Sequence, residues 1–240
     1  MMRMMKQKTE IGAGREGRPP SFEPLAEDRI TPAAKSGIRH VIFDFGGVFV
    51  TEGLSKARRV YGKEIGVDIP EVWKTDLKPH WKAWEKGEIT EAEFWSRSAK
   101  LIGHGFDPKR MNELTWSLML KNEQLVDFIL KLRKKGYVTS MLTNNTKEWV
   151  EGYDAIDPFN QYFSQIVSSH EVKLVKPQPE IYRVTLQRLS AKPQECIFID
   201  DKEKNTEAAC GVGMSGVVFR SNEQVIGEVL SLLDGKSVRS

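Results

Sequence analysis

From residue 39 onward the chain alternates short, strand-like runs rich in apolar residues with amphipathic ones, and this alternation constrains the fold more than any other feature. RHVIFDF, YVTSML (137–142), QIVSS (165–169), CIFID (196–200) and SGVVF read as strands. Between them, LVDFILKLRKKG (125–136), PEIYRVTLQRLS (179–190), NTEAACGVG and NEQVIGEVLSLL carry helical signals. A strand that is apolar on both sides has no face for water, so it belongs inside a parallel sheet covered on both faces. The expected fold is α/β, a Rossmann-like parallel sheet with helices on both faces. In such sheets ligands sit beyond the carboxyl ends of the strands.

The interval 53–120 breaks this alternation. It is charged and holds Trp73, Trp81, Trp84 and Trp95, with Trp116 near its end. Within GEITEAEFW, Thr90 is followed by Glu93 at the capping-box spacing. The pattern predicts a small helical domain, 53–120, inserted into an α/β core made of 39–52 and 121–240. Its tryptophans are expected to form the insert's own core, with some of them facing the site. Residues 1–38, rich in Gly, Pro and charge, read as a flexible arm. That arm has no apolar h-region of the secretory kind, and Glu10, Glu16, Glu23 and Glu27 interrupt an organelle-transit pattern. The expected location is therefore cytoplasmic, with organelle targeting by the arm as the alternative.

The charge balance, 36 basic against 33 acidic residues for a net +3, argues against nucleic acid or an anionic membrane surface as partner. No segment approaches the ~18–20 apolar residues of a membrane span. Cys196 and Cys210 read as two buried thiols, and no Cys/His spacing suits a metal. No feature sets an oligomeric state.

The residues at the strand ends are more specific. The first strand ends in Asp44 and the second in Thr143-Asn144-Asn145. Lys173 and Lys176-Pro177 follow the third, and Asp200-Asp201 close the fourth, with Asn205 just beyond. Singly, each has an ordinary explanation as a cap, a turn or a helix lead-in. Together, three carboxylates at one edge would repel by about 4 kcal/mol per pair at ~4 Å, a cost that a divalent cation removes. All-oxygen ligands point to Mg²⁺. A lysine and a hydroxyl–amide pair suit the oxygens of a phosphoryl group.

In order, spacing and strand context, FDFGGV, MLTNN, Lys176-Pro177 and FIDDKEKN resemble the four motifs of the haloacid dehalogenase superfamily of phosphohydrolases, across about 39–236. The insert resembles that family's helical C1 cap. The resemblance implies a small phosphorylated substrate and covalent catalysis, with Asp44 attacking phosphorus to form an aspartyl-phosphate. It implies Mg²⁺ held by Asp44, the Gly46 carbonyl, Asp200 and Asp201. Thr143 and the backbone at Asn144, with Asn145 and the Gly46-Gly47 turn, would cradle the phosphoryl oxygens, and Lys176 would neutralise charge.

One position departs from the family. Two residues after the nucleophile most of its phosphatases carry a second aspartate as general acid/base; here the residue is Gly46. Such help is worth ~10²–10⁴-fold in rate. An active phosphatase of an Asp-x-Gly subgroup, similar to sugar-phosphate phosphatases, is the preferred reading. A dehalogenase and a catalytically quiet binding module are the alternatives. Glu52 is the nearest downstream carboxylate that could move the proton, or else a solvated hinge residue. His80, Trp81, Trp84 and Trp95 are candidates for choosing the substrate, each equally readable as cap core. His40, His104, His170 and Lys173 are expected to be incidental strand-start, loop or surface residues.

Overall fold

The computed structural model describes Ile30 and residues 36–235. Strand β1 (His40–Phe43) is followed by five helices: α1 (Gly53–Ile65), α2 (Ile69–Val72), α3 (Lys78–Glu85), α4 (Glu91–Ile102) and α5 (Pro108–Leu118). The alternating part runs α6 (Glu123–Lys134), β2 (Val138–Thr143), α7 (Lys147–Ile156), β3 (Gln165–Ser168), α8 (Ser169–Val172) and α9 (Pro179–Leu189). It closes with β4 (Cys196–Asp200), α10 (Glu203–Gly211), β5 (Ser215–Val218) and α11 (Asn222–Leu233).

All strand pairs are parallel, and the order β3-β2-β1-β4-β5 puts β1 at the centre. Alternate residues of β1 serve opposite faces, as the twofold repeat of a strand requires. Val41 and Phe43 join a core with Leu125, Phe128 and Ile129 of α6 and Val225 and Val229 of α11. Ile42 points the other way, into a core with Ile181 and Tyr182 of α9 and Ala209 of α10. Both faces are covered, as the unbroken apolar strands demand.

Local chemistry fixes the helix starts. Asn122 accepts from the Leu125 N–H at the start of α6, and Thr146 from the Trp149 N–H at the start of α7. The Thr90–Glu93 capping box is formed in both directions, with Glu93 N–H donating to Thr90 at 3.2 Å and Thr90 N–H to Glu93 at 2.8 Å.

Helices α1 to α5 leave and rejoin the sheet region side by side. Val50 bridges Lys121, the Thr51 N–H donates to Leu120, and the Asn122 N–H donates to Phe49. These helices, with the segment Trp73–Leu77 between α2 and α3, share a small core of Ala57, Tyr61, Ile69, Leu77, Ile102 and Met111.

Several expectations need correcting. The tryptophans do not form a core private to the insert: Trp84 and Phe94 belong to the main core, and Trp81 and Trp84 meet Trp149 of α7 edge-on at 5.3 and 6.2 Å. Cys196 is buried but Cys210 is exposed, although its sulfur lies beside Gly216 of β5. His170 is half-buried in α8, with Nδ1 2.8 Å from the Ser168 hydroxyl. Most of the 1–38 arm lies outside the described residues, and of those described Ile30 and Ile38 pack into the main core.

Candidate active site

The strand order places the chemistry. The chain steps from β1 to one side for β2 and β3, then crosses to the other side for β4 and β5, so the order reverses between β1 and β4. Asp44 and Asp200 stand at the carboxyl ends of those two strands, where crevices of such sheets open. Thr143 ends β2 on the other flank of β1.

Lys176, only 5% exposed, ties the three strand ends together. Its Nζ donates to Asp200 Oδ2 at 2.6 Å and to the Leu142 carbonyl at 3.0 Å, and pairs with Asp44 Oδ1 at 2.7 Å. Asp44 Oδ1 also accepts from the Phe45 N–H at 2.7 Å, which leaves Oδ2 outside these bonds. Asp200 Oδ1 accepts from the Lys202 N–H at 2.9 Å and from Asn205 at 2.8 Å.

One ammonium thus serves two buried carboxylates. Burial pushes the Asp44 carboxyl up, to about 7, against the pull of Lys176. Burial also works against a charged Asp200, but Lys176, the Lys202 N–H and Asn205 outweigh it and hold Asp200 below the ordinary carboxylate range. Burial likewise opposes the Lys176 charge, yet Asp44 and Asp200 hold its pKa above the usual lysine value. Asp201 is raised, chiefly by burial and then by Glu52 and Asp200.

Asp44, Asp200 and Asp201 each offer an oxygen within 4.8 Å of the others. Asp201 Oδ1 is buried without a hydrogen-bond partner, although Lys202 Nζ stands 3.4 Å away in ion-pair range. The turn after β1 is shaped for this convergence. At Gly47, with φ of +86°, a Cβ would lie 2.7 Å from Asp201 Oδ2, so only glycine admits that carboxylate. At Gly46 a Cβ would meet only Glu52 Oε1, at 3.5 Å. Glu52 therefore reaches toward the place a side chain at 46 would fill, and it pairs with Lys202 at 3.4 Å.

The Thr143-Asn144-Asn145 turn is braced rather than open. The Asn144 side chain exchanges two bonds with the Lys176 backbone, at 3.0 and 2.8 Å. The Asn145 N–H donates to the Ser169 hydroxyl at 3.0 Å, and its side chain accepts from the Thr146 N–H. Asn145 is thus a brace whose amide is already engaged.

Above this edge lies a cavity of about 590 Å³, lined by Asp44, Gly46, Thr143 and Lys176 from the sheet side and by residues of α1 and α3. Of the four aromatic and histidine candidates only Trp81 lines it; Trp84 is buried behind it, and His80 faces Arg97 at 3.2 Å.

Among the lining residues that sequence reasoning missed are Arg58, Lys202 and Glu85. Arg58 lies over the Trp73 ring at 3.9 Å, and burial lowers its pKa to about 10. Lys202 bridges Glu52 and Asp201. Glu85 ends α3, and burial raises its carboxyl to about 7, opposed by a hydrogen bond from the Trp81 side chain and by Lys202, Lys176 and Lys82. The one available signal was spacing: Trp81 and Glu85 are four apart on a helix and share a face. Lys173, expected to be incidental, donates to the Gly87 carbonyl at 3.1 Å and ties the turn after α3 to the sheet side.

Fold and site together define an α/β protein with a charged cavity at the carboxyl edge of a parallel sheet. Comparison with known proteins makes that class specific: the chain belongs to the haloacid dehalogenase-like hydrolases, whose family pattern matches residues 38–213. It is 29% identical over 218 residues to acyl-CoA dehydrogenase family member 10 of Mus musculus, covering 85% of this chain and 20% of that protein. The chain likewise spans 20% of the length of bifunctional epoxide hydrolase 2 of Rattus norvegicus. With D-ribitol-5-phosphate phosphatase of Bacteroides thetaiotaomicron the identity is 25% over 181 residues, covering 70% of this chain and 85% of that one. A crystal structure of a family enzyme from the same organism, in complex with magnesium and inorganic phosphate, superposes with a TM-score of 0.63 at 28% identity. It covers 76% of this chain and 94% of that one. Among the described residues, no helix is long and apolar enough to cross a membrane.

Proposed function

We propose that the protein is a Mg²⁺-dependent phosphatase acting on a small phosphorylated metabolite through an aspartyl-phosphate on Asp44. The carrying observation is the state of Asp44, which lines the cavity: Lys176 and the Phe45 N–H engage Oδ1, which leaves Oδ2 outside these bonds to serve as nucleophile. The volume, about 590 Å³, falls in the usual range for small-molecule sites.

The residues suit a hard cation. Three carboxylates converge with one buried oxygen unpartnered, and all the donors are oxygens. Asp44, Asp201, Asp200 and the Gly46 carbonyl would hold Mg²⁺, whose charge would offset that of the phosphoryl group. Lys176 orients Asp44 and draws it toward the ionised form, Thr143 and the Asn144 backbone receive phosphoryl oxygens, and Asn145 and Gly47 shape the turns around them. Helices α1 to α5 act as a cap, 53–120, that closes the cavity and selects the substrate through Trp81 and its neighbours.

The test is a screen of phosphorylated metabolites with and without Mg²⁺, using Asp44→Asn as control. The expected result is Mg²⁺-dependent phosphate release that D44N abolishes. Release of halide from haloacids without metal, or turnover that survives in D44N, overturns the reading.

A further inference from the structure

An acid is missing at Gly46, and the structure offers two carboxylates in the cavity that could replace it, Glu52 and Glu85. Resting on the phosphatase reading, we infer that Glu85 carries the proton: it donates to the leaving oxygen in the first half-reaction and accepts from water in the second. In the first, Asp44 Oδ2 bonds to phosphorus, the phosphorus–oxygen bond to the leaving group breaks, and that oxygen takes its electron pair and the Glu85 proton. In the second, water bonds to phosphorus and gives a proton to Glu85. The Asp44–phosphorus bond then breaks, restoring the Asp44 carboxylate and releasing phosphate.

Position favours Glu85. In-line displacement sends the leaving group away from Asp44, out of the sheet edge and toward the helices above it, and Glu85 ends one of those helices in the wall of the same cavity. Its place is held from the sheet side. The Ser169 hydroxyl donates to the Glu85 carbonyl at 2.6 Å, and the same hydroxyl accepts from the Asn145 N–H at 3.0 Å. One side chain therefore couples Glu85 to the Thr143-Asn144-Asn145 turn. Two residues on, Lys173 holds the Gly87 carbonyl, and just before it the Trp84 indole donates to Glu148 of α7 at 3.0 Å.

The surroundings of the carboxyl also favour it. Lys82 on its own helix and Lys176 and Lys202 from the sheet side draw it toward the charged form, as does the Trp81 hydrogen bond. Lys86 is turned to Glu88, while Lys173 and His170 of the α8 region bond backbone carbonyls. No cation lies within ion-pair distance of Glu85 among the described residues, and burial outweighs the attractions, leaving a group that exchanges its proton near neutrality. Glu52 also reaches the place that a side chain at 46 would fill, but its carboxylate is engaged by Lys202 at 3.4 Å, whereas Glu85 has no cation so close among the described residues.

The experiment compares the wild-type enzyme, E85Q and E52Q on p-nitrophenyl phosphate and on an alkyl phosphate, with Mg²⁺ present, by pre-steady-state and pH-dependent kinetics. For E85Q the expected result is a burst of about one nitrophenolate per enzyme followed by slow turnover. Nitrophenolate needs no proton to leave, but the aspartyl-phosphate is then hydrolysed without its base. On the alkyl phosphate E85Q should show no burst and a ~10²–10⁴-fold loss, and the wild-type fall in rate above about pH 7 should disappear. A merely structural role would lower both substrates alike and remove the burst. That result, or full alkyl phosphatase activity in E85Q, or the burst pattern in E52Q instead, overturns the inference. A wild-type enzyme without D44-dependent phosphatase activity would instead overturn the reading on which the inference rests.

Discussion

A single ammonium decides the balance of charge at the sheet edge. Lys176 is almost fully buried between Asp44 and Asp200, with its three donors spent on the two carboxylates and the Leu142 carbonyl. Removing it leaves two buried carboxylates with N–H donors but without their shared counter-charge. Breaking one side of such a pair costs about 3–5 kcal/mol. K176M should therefore unfold at a clearly lower urea midpoint in metal-free buffer. D44N removes the surplus negative charge and keeps the Lys176–Asp200 pair, so its midpoint should stay within the equivalent of about 1 kcal/mol of wild type. Equal losses in the two variants would show that the lysine is not the shared counter-charge.

At the scale of elements, the contact between α3 and α7 carries the next prediction. Trp84 is 1% exposed, stacks with Phe94 at 4.8 Å and bonds Glu148, so W84A opens a cavity and should cost about 3–5 kcal/mol. Trp81 touches the same cluster but also walls the site, so W81F should raise KM for the metabolite several-fold while D44-dependent turnover of acetyl phosphate persists. H80A, on the side facing Arg97, should change neither. Steady-state kinetics and thermal melts of the three variants separate these roles, and a KM effect in H80A would contradict the assigned geometry. The same helices show where reading the sequence stops. The sheet was legible because Val41, Ile42 and Phe43 leave no polar face, and consecutive parallel strands must deliver Asp44, Thr143 and Asp200 to one edge. Nothing local tells Trp84 that its partner is Glu148, or Glu85 that a hydroxyl at 169 will fix its carbonyl. Those contacts depend on how the insert docks, and in sequence Glu85 is one charged residue among many.

For the whole molecule, the cation proposed for the converging carboxylates would make folding and cation binding one equilibrium. Asp44, Asp200 and Asp201 lie within 4.8 Å of one another only after β1 and β4 have paired, so the unfolded chain has no comparable site. A cation that binds the folded form alone stabilises it by about 2.7 kcal/mol at a hundredfold excess over Kd. For a chain of this size that corresponds to a rise in Tm of roughly 5–10 °C. Asp201 is the place to cut the link, because it is only partly buried and one of its oxygens has no hydrogen bond to lose. D201N should melt in metal-free buffer at or slightly above the wild-type temperature, since one like charge has gone. It should then gain little from Mg²⁺ that lifts the wild type fully. Scanning calorimetry with Mg²⁺ and with a matched concentration of Na⁺ separates site binding from ionic strength, since screening by salt acts on both variants. A wild-type Tm that ignores Mg²⁺, or a D201N that responds to it as strongly as wild type, would remove the cation from this edge whatever the kinetics show.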